Sequence, residues 1–403
     1  MEGKLNWDFK GENTKEYTHG FHTYPAMMIP QVARRLIGMY GENANILLDP
    51  FCGSGTSLVE ASLRNHINEA YGFDLNPLAV LIAKVKTTPI NPEKLKLQLK
   101  KFFNTTGSSS IPNFKNIEFW FKPKVIERLA IMKNEINKIQ DKDVRDFFLV
   151  CFSETVRDVS NTRNKEFKLY RMAQDKLKNF DPDVFAEFER TVLKNIRGME
   201  DYINERKETK TSSKIVNAMG GFPLKEGSVN IIVTSPPYGD SRTTVAYGQF
   251  SRLALQWLGY EEINGLDNEM LGGKPTKDLE IRIGSPTLIN IIKRIAEKDE
   301  KRAREVLSFY QDFDKCVIQL HKAMAREGIV CFVVGNRTVK GINIPTDKIM
   351  AELFHSHGEY EDIATHTRTI PNKRMPKENS PTNIKGEKVT TMNNEFIFVL
   401  RKL

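Results

Sequence analysis

The sequence predicts an α/β fold: a largely parallel sheet of about seven strands, interrupted by a long helical insertion. Three observations carry this expectation. Short apolar runs alternate with helical stretches from Asn45 onward. A charged region with helical periodicity breaks the rhythm between residues 91 and 213. Strand-like runs then return and continue to the end of the chain. Alternating β and α segments point to parallel strands, because a parallel connection needs a crossover of a dozen or more residues.

The elements follow in order. "NILLD" (45–49) reads as the first strand and "TSLVEASLRNH" (56–66) as its helix. "EAYGFD" (69–74) and "PLAVLIAKVKT" (77–87) repeat the pair. "PKVIERLAIMKNEINKI" (123–139) and "DVFAEFERTVLKNIRGMEDYI" (183–203) space apolar residues at threes and fours, the period of a helix with one buried face. "NTTGSSSIPN" (104–113) and "KETKTSSK" (207–214) are loops near the two ends of this region. Strands return with "KIVNA" (214–218) and "VNIIVT" (229–234). After a polar, helical stretch over 240–327 come "GIVCFVVGN" (328–336), "EYEDIATHT" (359–367) and "EFIFVLRK" (395–402). The expected division is therefore one domain from 1–90 and 214–403, with 91–213 inserted.

Composition narrows the functional classes. The 403 residues, 40% hydrophobic with 24 Phe, suffice for a large core. No apolar run is long enough to span a bilayer, and the first residues lack the apolar core of a signal peptide, so a cytoplasmic location is expected. Cys52, Cys151, Cys316 and Cys331 show no CxxC spacing, which argues for reduced thiols and against a zinc site or a disulfide framework. The formal net charge is +9 and the pI about 9.1, a balance that favours a polyanionic partner.

"LLDPFCGSGT" (47–56) lies where the first strand passes into its helix. Glycines there allow a tight turn and close approach of a ligand, while Asp49 and Asp74 end the first two strands. Together they indicate an adenosine-type cofactor at the carboxyl ends of the strands. The third glycine of a dinucleotide fingerprint is missing, and no Gly-Lys-Ser/Thr completes a P-loop. Further on, "NIIVTSPPYGD" (230–240) ends a buried strand in two prolines and a tyrosine.

Taken together, "DPFCGSGT" and "TSPPY" resemble the amino-group DNA methyltransferases, which methylate cytosine N4 or adenine N6. "THGFHTYPAMMIPQVARRLI" (18–37) looks like the family's other cofactor-side segment. The resemblance implies a Rossmann-like seven-stranded methyltransferase sheet with its last strand antiparallel, and S-adenosylmethionine as cofactor. By it, Asp49, Phe51, Gly53, Ser54, Gly55 and Thr56 line the methionine and sulfonium side. Asp74 holds the ribose, and Tyr24 and Pro25 close the pocket. Asn217 stands where relatives often carry Asp near the adenine. The order of motifs, cofactor loop before catalytic loop, is the reverse of many relatives with SPPY, which leaves the target-recognition segment open.

The same resemblance makes Ser235, Pro236, Pro237 and Tyr238 the catalytic loop, and the chemistry explains its composition. The lone pair of an exocyclic amino group is delocalised into the base. Hydrogen-bond acceptors aimed at its N–H groups favour a nitrogen whose lone pair can attack. Ser235 offers its hydroxyl oxygen and Pro236 its carbonyl, and consecutive prolines hold both in place. Tyr238 offers a flat face for a base flipped out of the duplex. Ser at the first position leans toward cytosine N4, with adenine N6 as the alternative.

Other chemistries fit less well. Cytosine C5 methylation needs a nucleophilic Cys, usually after Pro, and these cysteines follow Phe51, Val150, Lys315 and Val330. Transfer RNA guanine methylases resemble DPPYG at this loop. An RNA methyltransferase or a non-catalytic DNA-binding subunit therefore ranks below a DNA enzyme. Double-stranded DNA is the expected partner, with a cognate restriction endonuclease a further partner left open. The candidate DNA contacts are Arg163, Lys168 and Arg171, with Lys165 and Tyr170 among them, then Arg242 after the catalytic loop. Lys373 and Arg374, followed by Lys377, Lys385 and Lys388, form a second basic segment. A solvated charged face is the alternative for both segments, since each also holds acidic residues.

Overall fold

A computed structural model describes the chain apart from residues 1–4, 103–109, 164–165, 207–210, 218–221, 240–243, 261–264, 371–377, 380–388 and 391–393. The seven apolar runs form the strands of one sheet: β1 (Ile46–Asp49), β2 (Glu69–Asp74), β3 (Ser212–Asn217), β4 (Val229–Thr234), β5 (Met324–Gly335), β6 (Tyr360–Thr369) and β7 (Asn394–Lys402). Their order is β3-β2-β1-β4-β5-β7-β6. The first five pair in parallel, and β7 runs antiparallel between β5 and β6. The strand order switches between β1 and β4, which brings the carboxyl ends of β1, β2 and β4 to one crevice, where open α/β sheets bind ligands.

Side-chain alternation decides the layers. Leu47, Ile231, Val233, Val333 and Ile397 face the helices Pro30–Tyr40 and Thr56–Ser62, meeting Val32, Leu36 and Leu58. Their neighbours Leu48, Ile232, Phe332, Val334 and Phe398 face the helices Pro286–Ala296, Glu300–Ala323 and Thr346–His357. Both faces are covered, so β1 and β4 are apolar at nearly every position. Apart from the strand-end residues Asp49 and Thr234, the exception is Asn230, which accepts hydrogen bonds from the backbone N–H of Asn45 (3.1 Å) and Ile46 (3.0 Å). That polar clamp holds β4 in step with β1. A slip of one residue would turn both layers' side chains to the wrong faces.

Between β2 and β3 lie the helices Pro77–Thr87, Pro92–Phe102, Pro123–Asn137, Lys142–Asp158 and Val184–Arg206. They share one core with the helix Tyr247–Leu258, which follows β4 in the chain: Leu129, Phe147, Phe152 and Phe188 join Leu78, Ile82, Phe250 and Trp257. Trp257 takes Phe121 and Phe152 edge-on at 5.7 and 6.2 Å. Such pairs add about 0.5–1.5 kcal/mol each beyond the area they bury. Asp141 caps Lys142–Asp158, accepting from the N–H of Asp143 and Val144. Glu154 of this helix accepts hydrogen bonds from the N–H and hydroxyl of Thr23. Among the described residues no helix is long and apolar enough to cross a membrane.

Candidate active site

The glycine loop leaves β1 at Asp49 and turns with Gly53 at φ +47° and Gly55 at φ +82°. Both lie in the left-handed region that suits glycine. Their tasks differ. A Cβ on Gly55 would stand 2.9 Å from the Cβ of Ala83, so Gly55 lets its loop seat against the helix Pro77–Thr87. A Cβ on Gly53 would face the Tyr24 ring at 3.6 Å. Gly53 is therefore the glycine on the cavity side.

Two carboxylates end the neighbouring strands. Asp49 is buried and accepts from the Thr234 hydroxyl at 2.6 Å and the Phe51 N–H at 3.2 Å. Asp74 is half-buried and accepts from the N–H of Gly53 at 3.0 Å and of Asn76 at 2.8 Å. Burial pushes each up to about 6, with these hydrogen bonds opposing it. At neutral pH both remain mainly ionised, which puts two negative charges beside the loop.

Tyr24 forms the opposite wall. The N–H and hydroxyl of Thr23 donate to Glu154 at 3.1 and 2.6 Å, which anchors the turn just ahead of Tyr24. Burial favours the neutral form of Glu154, but the nearby His22 and the Thr23 hydrogen bonds outweigh it and hold the carboxyl below its ordinary value. The Tyr24 oxygen accepts from Asn76 Nδ2 at 3.0 Å, and its ring stacks on Tyr247 at 5.9 Å. Phe250 meets Tyr24 edge-on at 5.8 Å.

The Ser-Pro-Pro-Tyr loop leaves β4 beside Asp49, which accepts from the Thr234 hydroxyl. Ser235 Oγ lies 3.1 Å from the Tyr238 hydroxyl, which donates to Glu395 Oε1 at 2.9 Å. Glu395, half-buried, pairs with the buried Arg368. One cavity of about 260 Å³ joins the two motifs. It is lined by Tyr24, Pro25, Asp49, Phe51, Gly53, Ser54, Thr56 and Asp74, and by Ser235 and Pro237 from the loop after β4. Gly55, Pro236 and Tyr238 stand behind this lining. The Tyr238 ring packs against the apolar layer that contains Phe332.

Several residues of the site escape a sequence reading. Phe222 and Tyr247 also line the cavity. Asn76 links Tyr24 to Ser251. Lys86 is fully buried, and its amine donates to Ser54 Oγ at 3.4 Å with no carboxylate partner among the described residues. Burial alone lowers its pKa to about 7. The available signal was a lysine on the apolar face of "PLAVLIAKVKT". Asn217 ends β3 in register with Asp74.

The basic segments are placed only in part. Arg163 is exposed, pairs with Glu166 at 3.2 Å and lies over the Tyr170 ring. Arg171 lies over Phe119 at 4.3 Å, and Lys168 is half-buried. Phe167, from the same segment, meets Phe250 at 6.3 Å, so this stretch packs behind the helix that carries Tyr247. Arg242, Lys373 and Arg374, with Lys165, Lys377, Lys385 and Lys388, lie outside the described residues.

The strand order, the antiparallel β7 and a cavity shared by two strand-end motifs define a Rossmann-like methyltransferase. A family model described as a DNA methylase, of the N6/N4 kind, matches residues 4–85. The type II methyltransferase M.MvaI of Kocuria varians is 45% identical over 424 residues, covering 98% of this chain and 93% of that protein. The type II methyltransferase M.MjaII of Methanocaldococcus jannaschii is 37% identical over 113 residues, 27% of this chain and 21% of its own. Among solved structures, the rRNA methyltransferase aviRa of Streptomyces viridochromogenes aligns over 94% of this chain and 86% of its own. It does so at 11% identity and a TM-score of 0.31, too low to bear on the argument. The nearly full-length match at 45% identity shows that the chain belongs to the DNA amino-methyltransferase family.

S-adenosylmethionine is the cofactor of this family, and the residues present fit it. Asp49 and Asp74 suit a cationic, hydroxyl-bearing ligand. Gly53 keeps the space under Tyr24 open, since a Cβ there would narrow it. The buried amine of Lys86, whose one side-chain partner among the described residues is the Ser54 hydroxyl, suits a carboxylate.

Proposed function

We propose that this chain methylates the exocyclic N4 of cytosine in double-stranded DNA, acting on a base turned out of the helix. The observation that supports this most is the single cavity lined by Asp49, Gly53 and Asp74 together with Ser235 and Pro237. When bound, S-adenosylmethionine supplies an electrophilic methyl group. Asp74 receives the ribose hydroxyls, Tyr24 and Pro25 close the pocket, and Asp49 and Phe51 face the methionine and sulfonium side. Lys86, buried behind Ser54, would supply the positive charge that favours the methionine carboxylate there. Across the cavity, Ser235 Oγ and the Pro236 carbonyl accept from the two N–H groups of the base and ready its nitrogen for attack. Tyr238 offers the base no stacking face, because its ring packs behind the lining against the layer that contains Phe332, and it acts through its hydroxyl, beside Ser235 Oγ.

The choice of cytosine rests on Ser at position 235. The wider assignment is a catalytic domain of residues 1–90 and 214–403, with 91–213 contributing DNA contacts. Arg163, Lys168, Arg171, Arg242, Lys373 and Arg374 are the proposed contacts, in keeping with the net charge of +9. Ser235→Ala tests the chemistry. Losing one oriented hydrogen bond at the reacting atom costs about 100- to 1,000-fold in rate. Single-turnover methyl transfer should fall by that factor while cofactor and DNA affinities stay within about twofold of the parent. Transfer at the parent rate would refute the role of Ser235.

A further inference from the structure

We propose that Glu395, held by Arg368, fixes the direction of the hydrogen bonds running through Tyr238 to Ser235, and so makes Ser235 Oγ an acceptor toward the target amino group. The proposal rests on the reading of Ser235 as that acceptor. It answers a question which that reading leaves open. A serine hydroxyl can donate or accept. If it donated to the amino nitrogen, it would occupy the lone pair that must attack the methyl group. Something has to send the serine proton elsewhere.

The geometry does so in three links. Glu395 and Arg368 are direct cross-strand partners on β7 and β6. Their side chains form a hydrogen-bonded ion pair, only 14% and 6% exposed, and Arg368 Nε also donates to the Trp7 carbonyl at 3.3 Å. Within this ion pair the carboxylate oxygens can only accept hydrogen bonds. Facing that carboxylate at 2.9 Å, the Tyr238 hydroxyl must donate. Having one proton, it can then only accept from Ser235, 3.1 Å away. The serine proton is committed to Tyr238, and the remaining lone pairs of Oγ are left for the cavity that Ser235 lines. Burial, and next to it the Glu395 charge, raise the Tyr238 pKa well above its ordinary value, so the phenol keeps its proton. Glu395 and Arg368 are thus positioning residues, acting on the reaction through Tyr238 and Ser235.

The test compares Tyr238→Phe, Glu395→Gln and Ser235→Ala, singly and in pairs, by single-turnover methyl transfer at saturating cofactor and DNA. Tyr238→Phe keeps the ring and leaves the Glu395–Arg368 pair intact, so it reads the relay even if Glu395→Gln folds poorly. We expect Tyr238→Phe to slow transfer about tenfold or more, part of the loss assigned to the whole serine contact. Cofactor and DNA dissociation constants, measured directly, should remain within about twofold. In the Ser235→Ala background Tyr238→Phe should cost nothing further, because the direction of a missing hydroxyl cannot matter. A parent rate for Tyr238→Phe, or an undiminished tenfold loss on top of Ser235→Ala, would overturn the relay. A parent rate for Ser235→Ala itself would instead overturn the underlying reading of the catalytic loop.

Discussion

Asp49→Asn isolates the electrostatic cost of the cofactor site. Burial holds Asp49 at about 6, where an ordinary aspartate titrates at 3.8. Each tenfold change in acidity corresponds to about 1.4 kcal/mol, so the ionised carboxylate costs the folded protein roughly 3 kcal/mol above pH 7. The sign follows from proton binding. The folded carboxyl holds its proton more tightly than the unfolded one, so protonation stabilises the fold as pH drops through about 6 toward 3.8. Asparagine can accept from Thr234 and Phe51 through its own Oδ1 but has no proton to gain. Constant effects of the amide, such as an unpaired N–H, cancel when the variant is compared with the parent at two pH values. Urea unfolding of the cofactor-free proteins, followed by tryptophan fluorescence, measures the difference at pH 7.5 and at pH 4.5. The variant's stability relative to the parent should drop by about 2 kcal/mol on going to the lower pH. A difference that does not change with pH would refute the claim that this carboxylate is held ionised against its burial.

Gly55→Ala should lower the thermal midpoint, since the left-handed backbone and the close approach to Ala83 together cost about 1–3 kcal/mol. Differential scanning calorimetry checks this, and an unchanged midpoint would contradict the tight seating of the loop. Lys86→Met should weaken S-adenosylmethionine binding about tenfold or more while leaving 5′-methylthioadenosine, which has no carboxylate, almost unaffected. With the free amine at about 7, cofactor binding at pH 8 should also take up part of a proton in the parent. Calorimetry in buffers of different ionisation enthalpy reads that uptake, and equal enthalpies in all buffers would remove Lys86 from the site.

How much of this was legible in the sequence depended on where each residue's partners lie. β1 and β4 announce themselves as apolar runs because both their faces are covered. Asp49 and Asp74 could be picked out because they end strands that are visible one by one, and Gly53 and Ser235 because they follow such strand ends. The helix Lys142–Asp158 gives no clean stripe, for it is buried almost all round, from Phe147 and Phe148 to Val150 and Phe152. The hairpin of Arg337–Val339 with Ile342–Ile344 turns on Lys340 and Gly341, both at positive φ, and a lysine in such a turn does not advertise it. Glu395 lies 157 residues from Tyr238 along the chain. Only the insertion of β7 between β5 and β6 brings it and Arg368 behind the catalytic loop, and no local pattern encodes that placement. Gly55 shows the converse. It is conspicuous in its motif, yet it serves the packing of loop against helix, while Gly53 faces the cavity.

The most direct test of the account is the identity of the methylated nucleoside. Purified protein is incubated with S-adenosylmethionine and unmethylated double-stranded DNA, which is then digested to nucleosides and resolved by liquid chromatography with mass spectrometry. N4-methyldeoxycytidine should accumulate with the parent protein and be lost with Ser235→Ala. N6-methyldeoxyadenosine in its place would overturn the assignment of the base, and no methylated nucleoside from a parent protein that binds both cofactor and DNA would contradict amino-group transfer in this cavity.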